Sequence, residues 1–379
     1  MSVFKPLRTI GVISGTSMDA IDIALVETDG EHHVRPLSGA AYPYPADLRA
    51  RLQQVIADPE RAEHDPLQAL EGEVTFVFKQ AIRRFMAETG LHAQDVDLIG
   101  CHGQTVFHRP ERRITRQLCN GDIMASKLGI GVVNRFRHAD VAAGGQGAPL
   151  VPLYHAALAH GLPAPLAVLN LGGVANITYL DGETILACDT GPASALIDDA
   201  MLTLFGQPYD DDGAVAARGH VNAPVLAQLM ANPFFAAPLP KSLDRNDFHA
   251  RAVITQGLKP EDRIATLTAF TIAATSAVVN LLPRRPLRWL VTGGGRRNSA
   301  FMRGLAHALG VPVEPVEHVG WNGDLLEAEC FAYLAVRARR GLPLSLPGTT
   351  GVPEAMCGGD FHAPQSSVID QNPSTRARR

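Results

Sequence analysis

The chain has 379 residues, 46% of them hydrophobic and 19% charged, with a formal net charge of −4. That length suits two domains or one large two-lobed unit with a cleft between the lobes. The mild charge, without long runs of one sign, argues against a nucleic-acid or membrane-surface footprint; Arg376, Arg378 and Arg379 form the one basic cluster and read as a frayed tail.

Cys101, Cys119, Cys188, Cys330 and Cys357 are odd in number, scattered and without a C-x-x-C pair, which points to a reducing compartment and against a structural zinc site. The apolar stretch from Thr9 to Ile13 is too short for a secretion signal, so the cytoplasm is the expected location.

The first element is "GVISGTSMDAIDIALVETDG", residues 11 to 30: an apolar strand, a small-residue turn, then a second strand. A Walker loop needs a lysine on the phosphates and opens a helix, and this stretch has neither. Ser14, Thr16, Ser17 and Asp19 must hold their ligand in another way. Leu70, Val74, Val77, Phe78, Ile82, Phe85 and Met86 recur at helical spacing and predict a helix that Gly90 ends. Asp97 to Gly100 reads as a short buried strand entering the loop "CHGQTVFHRP". A strand near Ile130 to Val133 leads into the glycine-rich "RFRHADVAAGGQGAPLVP".

From 164 to 192 the pattern is strand, Gly-Gly turn, strand, Asp-Gly hairpin, and a third strand ending at Asp189. It echoes the opening layout and suggests two α/β lobes of like design. Asp189 precedes a helix carrying Leu196, Ile197, Met201 and Leu204, where it either projects into a cleft or caps the helix. Tyr209 to Gly213 is either a solvated turn or an acidic metal cluster, the turn being favoured. Thr266 to Leu282 is uncharged but laced with Thr, Ser and Asn, and reads as a buried helix rather than a membrane span. The strand Trp289 to Val291 then meets Gly293, Gly294 and Gly295 before a helix with Phe301, Leu305 and Leu309; glycine there admits a ligand close to the backbone. Glu327 and Glu329 lie on an amphipathic stretch; at least one should face solvent, and neither is assigned a role. The small-residue turns at 14–19, 171–176 and 292–295 would surround a nucleotide if two lobes faced each other.

The ordered segments "SGTSMDAID", "GCHGQTVFH", "DVAAGGQGAPLVP", "LNLGGVANIT", "DTGP", "VTGGG" and "TTG" resemble the anhydro-N-acetylmuramic acid kinase family, of the acetate and sugar kinase, heat-shock protein and actin superfamily. The resemblance implies a duplicated actin-like, ribonuclease H-like α/β fold, with residues 1–140 as an N-terminal lobe and 141–379 as a C-terminal lobe whose last segment packs back on the first. It implies phosphates seated on β-hairpins, with ATP and Mg²⁺ as cofactors, and a reaction that opens 1,6-anhydro-N-acetylmuramic acid with water and phosphorylates the freed O6. Carried over by motif, the nucleotide residues are Gly15, Thr16, Ser17, Met18, Asp19, Ala20, Ile21, Asp22, Gly172, Gly173, Asn176, Gly293, Gly294 and Gly295. Asp189 matches the catalytic base, Asp19 would hold Mg²⁺ through its waters, and His102, Gln104, Arg137, Gln146 and Gly147 line the sugar side. The partner is a small sugar, with no nucleic acid and no membrane, and a homodimer is the assembly left open.

Ala20, Arg135 and the pair Ala193-Ser194 depart from the family pattern, the last nearest the base. His102 and His108, outside this context, would read as ordinary half-buried histidines. Two other readings stand beside the main one. Another sugar or acyl kinase of this fold would lack the segments at 101–108 and 140–149; a catalytically weak nucleotide- and sugar-binding regulator would show no turnover.

Overall fold

The computed structural model describes residues 4–15, 18–243 and 245–364. Apolar runs become the central strands, buried on both faces, of two main sheets. The first contains β1 (Leu7–Ile13), β2 (Ala20–Thr28), β3 (Val34–Pro43), β4 (Leu98–Cys101), β7 (Val132–Asn134) and β13 (Asp360–His362), in the order β13-β7-β4-β1-β2-β3. The second contains β8 (Leu166–Leu171), β9 (Val174–Asp181), β10 (Thr184–Pro192), β11 (Arg288–Thr292) and β12 (Val313–Pro315), in the order β10-β9-β8-β11-β12. β5 (Gln104–Arg109) and β6 (Ile114–Leu118) form a separate hairpin.

The two sheets repeat one plan. In each, three successive strands make an antiparallel meander, and two later strands join parallel to the first. This is the 3-2-1-4-5 order of the ribonuclease H-like design, present twice. The first sheet alone gains an antiparallel edge strand, β13, beside β7.

Helix Leu326–Arg339 joins the halves. It packs on β1, β2 and β4, and its buried residues share a core cluster with Val133, Leu166, Val168 and Leu290 from both sheets. The sequence prepares its seat. Gly11 pairs with Gly100 across β1 and β4, and with Ala24 across β1 and β2. A Cβ on Gly11 would lie 1.8 Å from the Ala328 carbonyl oxygen, and one on Gly100 2.0 Å from that of Phe331. Small residues in mid-strand are thus what let the helix backbone touch the sheet.

The helix foreseen from Leu70 to Met86 runs Gln68–Glu88. Helix Pro260–Ala277 is the apolar stretch weighed against a membrane span; it packs on helices Ser194–Phe205 and Ser299–Leu309 and on β10, with Leu267, Phe270 and Ala274 in the second core. Two expectations need correction. The strand expected to end at Asp189 continues to Pro192, because β9 keeps pairing with it past a bulge between Asp189 and Gly191. The strand expected near Ile130 starts at Val132, where pairing with β4 begins.

Candidate active site

The second sheet presents a polar row across its first three strands. Asn170 pairs with Asn176, and Asn176 with Asp189; residues directly opposite share a face. Asp189 is held from a loop far along the chain: its N–H donates to the Lys241 carbonyl (3.0 Å), and its Oδ2 accepts the Leu243 N–H (2.7 Å). Burial pushes its carboxyl up to about 6, against the lowering effect of the Leu243 bond. Its Oδ1 has no protein partner among the described residues. The helix-cap reading of Asp189 falls, since the cap of helix Ser194–Phe205 is Ala193 and receives no side-chain bond. That helix is instead fastened to the turn, with the N–H groups of Ala193 and Ser194 on the carbonyls of Gly173 and Gly172, each at 3.0 Å.

Three glycines in the turns have no structural reason to be glycine. A Cβ on Gly172 would meet nothing nearer than 3.7 Å, one on Gly173 nothing nearer than 3.5 Å, and one on Gly294 nothing within 4 Å; none has a left-handed φ. A side chain at these positions would meet open space among the described residues. Their neighbours Gly293 and Gly295 differ. Cβ atoms there would strike Asn170 and Leu171 at 2.4 and 2.5 Å, so the third turn is packed against the second hairpin.

The third turn also reaches the first hairpin. Arg296 bonds the Gly293 carbonyl (3.0 Å), Glu317 (2.9 Å) and Asp324 (2.9 Å), and Arg297 reaches Asp324 at 2.6 Å. Asp324 in turn acts on Asp22 of β2. Burial, then the charges of Glu327 and Asp324, push Asp22 up to about 6. Glu327 reaches solvent, yet protein crowds it closely enough for desolvation to raise its pKa too. Asp19, expected to hold Mg²⁺, is exposed and forms an ion pair with Arg49 at 3.0 Å. Ala20 and Ile21 open β2 opposite Pro43 and Tyr42. Met18 turns back onto the Gly15 carbonyl at 3.1 Å, and Thr16 and Ser17 lie outside the described residues.

Among the residues expected to face the sugar, His102 is almost fully buried and both ring nitrogens are in use. Nδ1 donates to the Gly103 carbonyl (2.9 Å), so Nε2 accepts from Arg137 Nε (2.9 Å). Burial, then the Arg137 charge, hold the imidazole well below its usual pKa, which keeps it a neutral acceptor. His102 therefore orients Arg137, whose Nη1 donates to the Gly147 carbonyl (2.6 Å) and whose Nη2 has no bond among the described residues. His108 likewise bridges Thr115 (2.9 Å) and the Gln146 carbonyl (3.0 Å). The Gln104 Oε1 and Ser14 Oγ atoms are buried without a partner among the described residues, and Gln104 Nε2 lies 3.5 Å from the Gly15 carbonyl. Such orphans cost about 1–3 kcal/mol each unless a ligand or water meets them.

Arg135 pairs with Asp360 of β13 (3.1 Å); the N–H groups of Ala193 and Ser194 hold the Gly172–Gly173 turn, and the Ser194 side chain bonds Asp198. Asp210 resolves as a buried turn residue, accepting the N–H groups of Val215 (2.8 Å) and Ala216 (3.0 Å). Of the two glutamates left without a role, Glu329 is buried with the Tyr154 hydroxyl on it (2.8 Å), while Glu327 is exposed and its charge acts on Asp22. Sequence reasoning missed Asp324, Arg296, Lys241 and Leu243. Only the charged pair carried any signal, because Lys241 and Leu243 act on Asp189 through their backbone.

Residues 7–363 match the model of a family described as anhydro-N-acetylmuramic acid kinase. The chain is 48% identical over 360 residues to an anhydro-N-acetylmuramic acid kinase of Paramagnetospirillum magneticum, covering 94% of this chain and 100% of the relative. It is 50% identical over 366 residues to one of Rhizorhabdus wittichii, covering 94% and 99%. A third, from Azorhizobium caulinodans, is 50% identical over 371 residues, covering 94% and 100%. The chain belongs to the anhydro-N-acetylmuramic acid kinase family.

Proposed function

We propose that the protein uses ATP to open 1,6-anhydro-N-acetylmuramic acid, adding water at the anomeric carbon and passing the γ-phosphoryl group to the freed O6. The products are N-acetylmuramic acid 6-phosphate and ADP, in the recycling of cell-wall peptidoglycan. The observation that carries this reading is the Asp189 carboxylate: one oxygen is pinned by the Leu243 N–H, the other is open, and its pKa sits at about 6. A base so poised is ionised at neutral pH and still basic enough to take a proton from water.

In this reading Asp189 Oδ1 accepts the proton of the attacking water. The cleared turn at Gly172 and Gly173 and the first hairpin from Gly15 to Asp22 take the phosphates on their backbone N–H groups, and the open face of Gly294 takes the nucleoside. Arg137, steadied by His102, turns its unbonded Nη2 toward the sugar beside Gln104, Gln146 and Gly147. Mg²⁺ would neutralise phosphate charge. Asp22 and Glu327 fit its water shell, for their mutual repulsion is relieved by a cation, whereas the Asp19 carboxylate is already paired with Arg49. The compartment is the cytoplasm, and a homodimer is testable by light scattering.

The test is ADP release with and without the anhydro-sugar, followed by turnover in oxygen-18 water with rapid quenching. Release should depend on the sugar, and label should appear at the C1 hydroxyl and be absent from the phosphate. Label in inorganic phosphate with the 1,6-bridge intact would mean plain ATP hydrolysis and overturn the reading.

A further inference from the structure

Asp140 is a buried carboxylate, 2% exposed, on the short helix His138–Ala142, and the chemistry above does not use it. It carries an unusual load. Oδ1 accepts the Gly147 N–H at 2.6 Å, and Oδ2 accepts both the Thr350 hydroxyl at 2.5 Å and the Ser345 hydroxyl. The loop is wrapped tightly around it, since a Cβ on Gly145 would lie 2.3 Å from Oδ1. Bonds to a carboxylate from three donors are charge-assisted, and a group this buried has no water to replace a lost one.

The same residues continue toward the base. The Thr350 carbonyl receives the Gln146 N–H at 2.7 Å, a second tie between the C-terminal turn and the 144–147 loop. Helix Pro347–Thr350 lies on β10, the strand of Asp189. A Cβ on Gly351, the next residue, would be 3.5 Å from the Pro240 ring. Pro240 opens the segment whose Lys241 carbonyl and Leu243 N–H hold Asp189.

We infer that Asp140 is a positioning residue that couples the sugar-facing loop, through Thr350, Gly351 and the 240–243 segment, to the orientation of Asp189. This rests on the proposed reaction. The loop that contacts the sugar and the base that activates water are set by one carboxylate, so entry of the sugar can tighten both ends together. A contiguous run of hydrogen bonds and packed contacts such as this one is what carries coupling between two sites.

The experiment compares wild type with Asp140→Asn, Thr350→Val, the double variant and Thr350→Ser in the sugar-dependent ADP assay. The asparagine retains shape, but its single amide oxygen can accept either from the Gly147 N–H or from the Ser345 and Thr350 hydroxyls and not from both, so one side of the anchor loses its acceptor. Displacement of the order of 1 Å at a reacting group costs about 10²-fold, so kcat/KM for the sugar should fall about 10²-fold, through both KM and kcat, in Asp140→Asn. The KM for ATP should stay within about twofold, a split that general loosening would not give. Thr350→Val should move the same constants, Thr350→Ser should restore them, and the double variant should lose less than the sum. Unchanged sugar constants, a parallel rise in both KM values, or full additivity would overturn the coupling. If Asp140→Asn does not fold, Thr350→Val against Thr350→Ser carries the same test. Failure of wild type to turn over the anhydro-sugar would instead remove the reaction on which the inference stands.

Discussion

Asp22 and Asp189 belong to the two copies of one sheet plan, and both are held near 6, for different reasons. Asp22 is raised by burial and then by two like charges, Glu327 and Asp324. Asp189 is raised by burial alone, and its one direct partner, the Leu243 N–H, works the other way. The same pKa therefore marks two kinds of site. A carboxylate crowded by carboxylates is relieved by a cation, while an isolated one in a dry wall is relieved only by a proton. Duplicated topology leaves the chemistry free to diverge, because the neighbours are supplied by loops and by chain segments far from either sheet.

The sharpest way to break the comparison is Asp189→Asn. An amide cannot take the proton, so kcat should fall by about 10²–10⁴-fold with both substrates still bound, whereas Asp22→Asn should chiefly weaken the dependence on Mg²⁺. Rapid-quench turnover with binding titrations measures both, and near-normal turnover in Asp189→Asn would remove it as the base. Next in size is the joint between the copies. Gly100→Val puts a side chain where a Cβ already lies 2.0 Å from the Phe331 carbonyl oxygen. Overpacking of this kind costs about 1–3 kcal/mol or more, which thermal unfolding should show as a lower Tm, and an unchanged Tm would mean that helix Leu326–Arg339 does not sit on this sheet.

Gly294→Val tests the second copy's nucleotide face. Its new Cβ meets no atom of the described residues within 4 Å, so the fold should be untouched, while the KM for ATP should rise about tenfold if ~1–3 kcal/mol of overpacking falls on the nucleotide. An unchanged ATP KM would take this turn out of the site. An effect of similar size is expected in pH. Because the folded pKa of Asp189 is raised to about 6, its basic form is lost as pH falls through that value, and kcat/KM should drop about tenfold one unit below it. Asp22 titrates in the same range, so the limb should persist in Asp22→Asn. Its disappearance there would assign the limb to the acidic group instead.

Local features were legible in the chain. Apolar runs marked the strands, Leu70 to Met86 marked a helix, and the glycine turns at 172–173 and 293–295 marked places of close approach, because periodicity and turn chemistry are written within a few residues. Asp189 stood out by its place between an apolar strand and a Gly-Pro turn. Its environment did not. The Leu243 N–H that holds it, 54 residues on, comes from a backbone group that every residue type but proline offers. The ties of Asp140 to Ser345 and Thr350 span 205 and 210 residues, and no local pattern encodes such pairing. Nor does spacing reveal that Glu327 faces Asp22 while Glu329, two positions on, is buried under Tyr154. By itself the sequence determined the strands, the turns and the residue types fit for the reaction. Which carboxylate stands alone and which is crowded was decided by the folding of distant segments onto the same place, since burial and like charge act through space and not along the chain.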